Sequence, residues 1–147
     1  MTKFDDSGFF DLLAGSYARL LNRPLGAVSA AWLYRDAPFV VLAHDTSPDP
    51  RFIYANKAAQ ACFGYDWDEF TSLPSRLSAE PMLREERQTV LEAVARDGCV
   101  TGYSGIRIAK SGRRFRISGT VIWQLIDRDG VRRGQAAMFG DWSDLEG

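Results

Sequence analysis

The stretch that most constrains the fold is residues 115–125, where Phe115, Ile117, Gly119, Val121, Trp123 and Leu125 alternate with Arg116, Ser118, Thr120, Ile122 and Gln124. A period of two sends successive side chains to opposite faces of a strand, so this run predicts a long central strand with its first set on the core. Ile122 on the second set predicts partial cover there too. A strand this long needs partners on both edges, which commits the chain to a sheet.

Flanking segments supply those partners. Residues 99–108 read as extended, Ser111-Gly112 as a turn, the run from Asp127 to Gly130 as the next turn, and residues 131–139 as a further strand. Residues 141–147 read as loosely held apart from Trp142. Upstream, residues 39–43 and 51–55 read as two strands joined by the turn-forming tract HDTSPDP, with Phe52 and Tyr54 on one face and Ile53 on the other.

The rest is helical. Phe9, Phe10, Leu13, Tyr17, Leu20 and Leu21 recur at helical spacing after Ser7, and a second helix is expected over residues 27–35. Asn56 caps a helix that Gly64 closes, and Asp66 with Glu69 forms a capping box. Ser78 starts a helix over residues 79–96, with Pro81 tolerated in its first turn and Gly98 as its stop. Strand pairs separated by helices give an α+β fold, an antiparallel sheet with helices packed on one side. The two N-terminal helices either cover the opposite sheet face or pair with another copy.

Composition narrows the function. The chain has 147 residues, 46% hydrophobic and 25% charged, with a formal net charge of −1, which suits one globular core and excludes the long-range attraction that gathers nucleic acid or anionic membranes. No apolar run approaches a membrane span, and the acids in MTKFDDSGFF do not make a signal peptide. Cys62 and Cys99 form neither a framework nor a CxxC pair, so they read as reduced thiols in a cytoplasmic protein. No phosphate loop, zinc spacing, HExxH or nucleophile elbow is present.

The order of two strands, three helices and three strands, with Tyr54-Ala55-Asn56 leading into a helix and Phe63-Gly64 closing it, resembles a PAS domain. More specifically, residues 37–59 (APFVVLAHDTSPDPRFIYANKAA), 73–87 (LPSRLSAEPMLREER), 103–117 (YSGIRIAKSGRRFRI) and 134–139 (GQAAMF) resemble the MEKHLA domain family. That family has a PAS-like domain found alone in bacteria and at the C-terminus of some plant homeodomain-zipper proteins. The resemblance covers roughly residues 12–142. The MEKHLA hexapeptide, the homeodomain and the zipper are absent from this sequence, so the DNA-linked setting does not transfer. What it implies is a five-stranded antiparallel PAS-like sheet over residues 37–142, a helical extension over 1–36 and a tail over 143–147. It also implies a sensory or regulatory role: binding a small molecule or self-associating, without catalytic turnover. The alternatives are a ligand-free interaction module and a small enzyme using the cavity.

Within that fold the aromatic residues Tyr54, Tyr103, Phe115, Trp123 and Phe139 either line the cavity or form a packed aromatic core, with Gln135 and either Ser118 or Thr120 as polar contacts that pleat phase decides. His44, the one histidine, lies after a strand, where it faces the cavity or caps a turn. Arg76 and Arg84 fall near the expected entrance, where a guanidinium holds a carboxylate or phosphate, although helical salt pairing also explains them. By the same reasoning Arg107, Arg113, Arg114 and Arg116, around a hairpin, either keep strand edges soluble or hold an anion. Blue-light PAS domains carry an NCRFLQ-type segment around a reactive cysteine. The corresponding region here, SRLSAEPMLREERQ, has none, which disfavours cysteinyl-flavin photochemistry. Haem-binding PAS domains place a histidine in the same region, and its absence disfavours histidine-ligated haem. The ligand is unassigned by sequence.

Overall fold

The computed structural model describes residues 7–26, 29–79 and 84–145. Helix α1 (Ser7–Leu21) and helix α2 (Ala30–Arg35) precede strands β1 (Val40–His44) and β2 (Phe52–Ala55). Helices α3 (Lys57–Phe63) and α4 (Trp67–Phe70), a 3-10 turn (Ser75–Ser78) and helix α5 (Arg84–Asp97) follow. Strands β3 (Cys99–Ile108), β4 (Arg114–Ile126), β5 (Arg132–Phe139) and β6 (Asp141–Asp144) complete the chain. The sheet is antiparallel in the order β2-β1-β5-β4-β3, and β6 pairs with β4.

The expected α+β architecture is present, and its local signals act as read. Asn56 accepts from the Ala59 N–H at 3.0 Å, Gly64 ends α3 at φ 82°, and the Asp66–Glu69 capping box forms in both directions. Three boundaries differ. Residues 141–144 are not loose: they continue past Gly140 on the β5 side of β4 as β6, Ile117 facing Trp142. Ser78 closes a 3-10 turn, its hydroxyl donating to the Ser75 carbonyl at 2.7 Å, and does not cap the long helix, which starts at Arg84. Pro81 and residues 27–28 of the expected second helix lie outside the described residues, while Ser29 caps α2 through the Trp32 N–H at 3.1 Å.

Two clusters sandwich the sheet. The inner face carries Val40, Phe52, Phe115, Ile117 and Phe139 against Ala59, Cys62 and Phe63 of α3. The outer face carries Val41, Ala43, Tyr54, Val121, Trp123 and Leu125 against α1 and α2. Helix α1 therefore covers the outer face, one of its two expected roles. It is anchored as well as packed: the Trp123 indole N–H donates to the Leu13 carbonyl at 3.2 Å. The Ser16 hydroxyl accepts from the Ile126 N–H at 2.9 Å and donates to the Ile126 carbonyl at 3.1 Å.

The even alternation expected for β4 does not persist along the strand. Gly105 pairs with Ile117 but Tyr103 pairs with Thr120, so two steps on β3 match three on β4. The extra residue is accommodated around Gly119, whose φ of 60° is a left-handed conformation open to glycine at little cost. Phe115 and Ile117 consequently point inward while Val121, Trp123 and Leu125 point outward, and Thr120 and Ile122 take over the inner face. The same event occurs in β2. Ala43 pairs with Tyr54 but His44 pairs with Phe52, and the extra Ile53 separates Phe52 on the inner face from Tyr54 on the outer one.

Candidate functional site

Between the inner sheet face and the helices α3 and α5 lies a cavity of about 50 Å³ within a recess of about 550 Å³ that includes its mouth. The strands contribute alternate residues to it: Leu42 and His44 from β1, Ile117, Thr120 and Ile122 from β4, and Gln135, Ala137 and Phe139 from β5. Phe63 closes it from α3, and Val90 and Leu91 from α5. Helix α5 is held against the sheet by the Gln124 amide, which donates to the Ala95 carbonyl at 3.2 Å. Ser78 and Arg107 add polar groups at the wall.

Most of this lining is apolar, which makes its buried polar atoms informative. Gln135 is 4% exposed and Thr120 fully buried, yet Gln135 Oε1 and Thr120 Oγ1 have no hydrogen-bond partner among the described residues. Buried polar atoms are paired in the great majority of cases, so two orphans on one cavity wall leave hydrogen-bonding capacity for water or a ligand. The enclosed volume equals roughly three to five water-sized spaces at ~10–15 Å³ each.

Of the sequence candidates, the fold brings His44, Gln135 and Phe139 together at the cavity. His44 Nδ1 lies 2.9 Å from the Asp45 carbonyl, so the turn orients its ring. Phe115 is buried behind the wall, edge-on to Phe63 at 5.1 Å, and Tyr103 packs at the rim of the inner cluster. Tyr54 and Trp123 are corrections. Both bulges turn them outward, where Tyr54 stacks on Phe9 at 5.1 Å and Trp123 meets Tyr17 edge-on at 4.9 Å. Burial pushes the Tyr54 phenol up, with Tyr34 adding to the shift. Arg76 is another correction: it is half exposed and pairs with Asp49 at 3.0 Å in the surface turn. The Arg84 side chain lies outside the described residues.

Arg107 and Thr120 are the lining residues that pattern reading underweighted. Arg107 lies on the strand pair's inner side opposite Phe115, and its guanidinium stands 5.5 Å from the Tyr103 ring centre. Gly119 was the available signal, because a glycine inside a strand pattern marks a bulge and so a change of phase. Arg113 bonds Asp144 and the Cys62 carbonyl, tying β6 to α3.

Among the described residues no three His, Cys, Asp or Glu side chains are grouped to hold a metal ion, and no helix is long and apolar enough to cross a membrane.

A five-membered antiparallel core in the order 2-1-5-4-3, with helices enclosing a cavity on one face, defines a PAS-like domain. Solved structures share this fold. A PAS domain from Colwellia psychrerythraea matches with TM-score 0.66 at 18% identity, covering 78% of this chain and 92% of its own. The light-state dimer of the fungal blue-light photoreceptor Vivid matches with TM-score 0.64 at 20% identity, covering 99% of this chain and 97% of its own. A PAS domain from a two-component sensor histidine kinase matches with TM-score 0.60 at 16% identity, covering 79% and 93%. No curated protein sequence matches significantly. The MEKHLA domain profile matches residues 7–144, and the chain belongs to the MEKHLA domain family.

A cysteinyl-flavin adduct does not fit these residues. Cysteinyl adduct chemistry needs a thiol at the cavity, and the chain's two cysteines lie elsewhere. Burial in the inner core pushes the Cys62 thiol up to about 11 despite the opposing pull of Arg113. Cys99 begins β3 with Sγ 3.9 Å from the Leu20 carbonyl.

Proposed function

We propose that this protein is a small sensory or regulatory domain that holds a small molecule in the cavity between its sheet and helix α5, without catalytic turnover. The observation that carries this reading is the pair of buried, unpartnered acceptors, Gln135 Oε1 and Thr120 Oγ1, on one largely apolar wall. A ligand that completes those bonds changes the energetics of β4 and β5. Helix α1 rests on the reverse of β4 through Trp123 and Ser16, so it reads the same strands from the opposite side. The free thiols support a reducing, cytoplasmic setting.

Native mass spectrometry of freshly purified protein, with its absorption spectrum, tests the reading. The expected result is an adduct mass that disappears on denaturation; a bare chain that also gains no mass from a cellular metabolite extract refutes it. Self-association is the second reading. It is supported by Phe10 and Leu12 of α1, which remain partly exposed beside the outer cluster, and by the dimer described for Vivid. Light scattering over a dilution series tests it, and a strict monomer would exclude it.

A further inference from the structure

The cavity has two polar ends and an apolar middle. His44 pairs with Gln135, and Gln135 with Gln124, to form one row across the inner face. Leu42, Ala137 and Ile122 form the next row, and it is entirely aliphatic. Thr120 lies one row further, four residues from Gln124 along β4. At ~3.3 Å per residue the two polar rows stand about 13 Å apart.

The ends differ chemically. At the Gln135 end the unpaired atom is a carbonyl oxygen, which only accepts. At the Thr120 end the unpaired atom is a hydroxyl, which also donates. Tyr103 is the cross-strand partner of Thr120, and the Arg107 guanidinium folds back over the Tyr103 ring, donating to its hydroxyl at 3.4 Å and to the Ile106 carbonyl at 2.9 Å. Arg107 is the one charged residue among the described lining, and no carboxylate pairs with it among the described residues. A guanidinium and a donating hydroxyl lining one cavity favour a carboxylate. The enclosed volume, about 50 Å³, is a third of the roughly 150 Å³ that holds a benzene ring, so the body between the ends is slender.

We infer that the ligand is a slim monocarboxylate with a hydrogen-bond donor at the far end of an apolar chain. Its carboxylate meets Arg107 and Thr120, its chain lies along Leu42, Ala137 and Ile122, and its donor meets Gln135 Oε1. This inference rests on the cavity-binding reading above.

Three probes and xenon test it by ¹H–¹⁵N NMR titration of the intact protein. They are 6-hydroxyhexanoate, hexanoate, which lacks the far donor, and 1,6-hexanediol, which lacks the carboxylate. The expected order is 6-hydroxyhexanoate tightest, hexanoate weaker by about fivefold for one neutral hydrogen bond, and hexanediol weaker by about tenfold or more for a charge-assisted one. Gln135→Met should abolish the advantage over hexanoate and Arg107→Met the advantage over hexanediol, each leaving the other advantage in place. Equal affinities for 6-hydroxyhexanoate and hexanoate overturn the donor end, and equal affinities for 6-hydroxyhexanoate and hexanediol overturn the carboxylate end. If xenon perturbs the inner-face residues while none of the three probes binds, the inference fails and the cavity reading survives. If xenon is excluded too, both fall.

Discussion

Replacing Trp123 by alanine separates stability from ligand binding. The indole is fully buried on the outer face, edge-on to Tyr17 and donating to the Leu13 carbonyl. Emptying a large aromatic site of this kind costs ~3–5 kcal/mol, and the lost hydrogen bond adds about 1 kcal/mol. Against a typical domain stability of ~5–15 kcal/mol, a loss of about 4–6 kcal/mol leaves the variant marginal. Trp123→Phe keeps most of the volume and loses the donor, so about 1–2 kcal/mol is expected. Urea denaturation followed by far-UV circular dichroism measures both. Because Trp123 faces away from the cavity, Trp123→Phe should change probe affinity by less than about twofold. A cost under about 1 kcal/mol for Trp123→Ala would refute the packing assignment. A large loss of affinity in Trp123→Phe would refute the two-faced reading of β4.

Asn56 does more than cap α3: its side chain also accepts from the Val41 N–H and donates to the Leu33 and Phe39 carbonyls. Asn56→Ala is therefore expected to cost at least about 3 kcal/mol in the same denaturation assay, and Asn56→Ser, which restores only the cap, should recover little. Recovery of most of the stability by serine would reduce Asn56 to a simple cap. At Gly119 an added Cβ meets no described atom within 4 Å, so Gly119→Ala tests backbone strain alone and should cost about 1–2 kcal/mol, with Gly119→Asn costing less despite its size. Asparagine proving the worse of the two in urea melts would point to a steric cause. The Cys62 thiol is raised on folding, so its contribution to stability is complete below the unfolded value of about 8.5 and is lost as pH rises through about 11. Pulse alkylation should leave Cys62 unmodified at pH 8.5 in the native protein, and labelling there at the free-thiol rate would contradict its burial.

Local chemistry made much of this fold readable. Asn56, Gly64 and the Asp66–Glu69 box act within a few residues of themselves, and the turn tract between β1 and β2 is held by Asp45, whose carboxylate accepts from the Ser47 and Arg51 N–H groups. His44, Gln135 and Phe139 were identifiable because β1 and β5 run without an internal bulge against each other, so a strict period of two holds along that pairing. Tyr54 and Trp123 take the packed-core role and not the cavity for one shared reason. A bulge adds a single residue to a strand, and in a pattern of period two a single residue reverses every side chain beyond it.

The α+β class, the order of the elements up to β5 and the caps at Asn56, Gly64 and Asp66 were legible along the chain, since propensity, capping and turn formation depend on near neighbours. Tertiary structure alone decided which face each side chain took, because register is set by pairing between strands remote in sequence. That pairing turned Tyr54 and Trp123 outward, brought Thr120 and Arg107 to the cavity, held β6 against β4 and laid α1 across the back of the sheet.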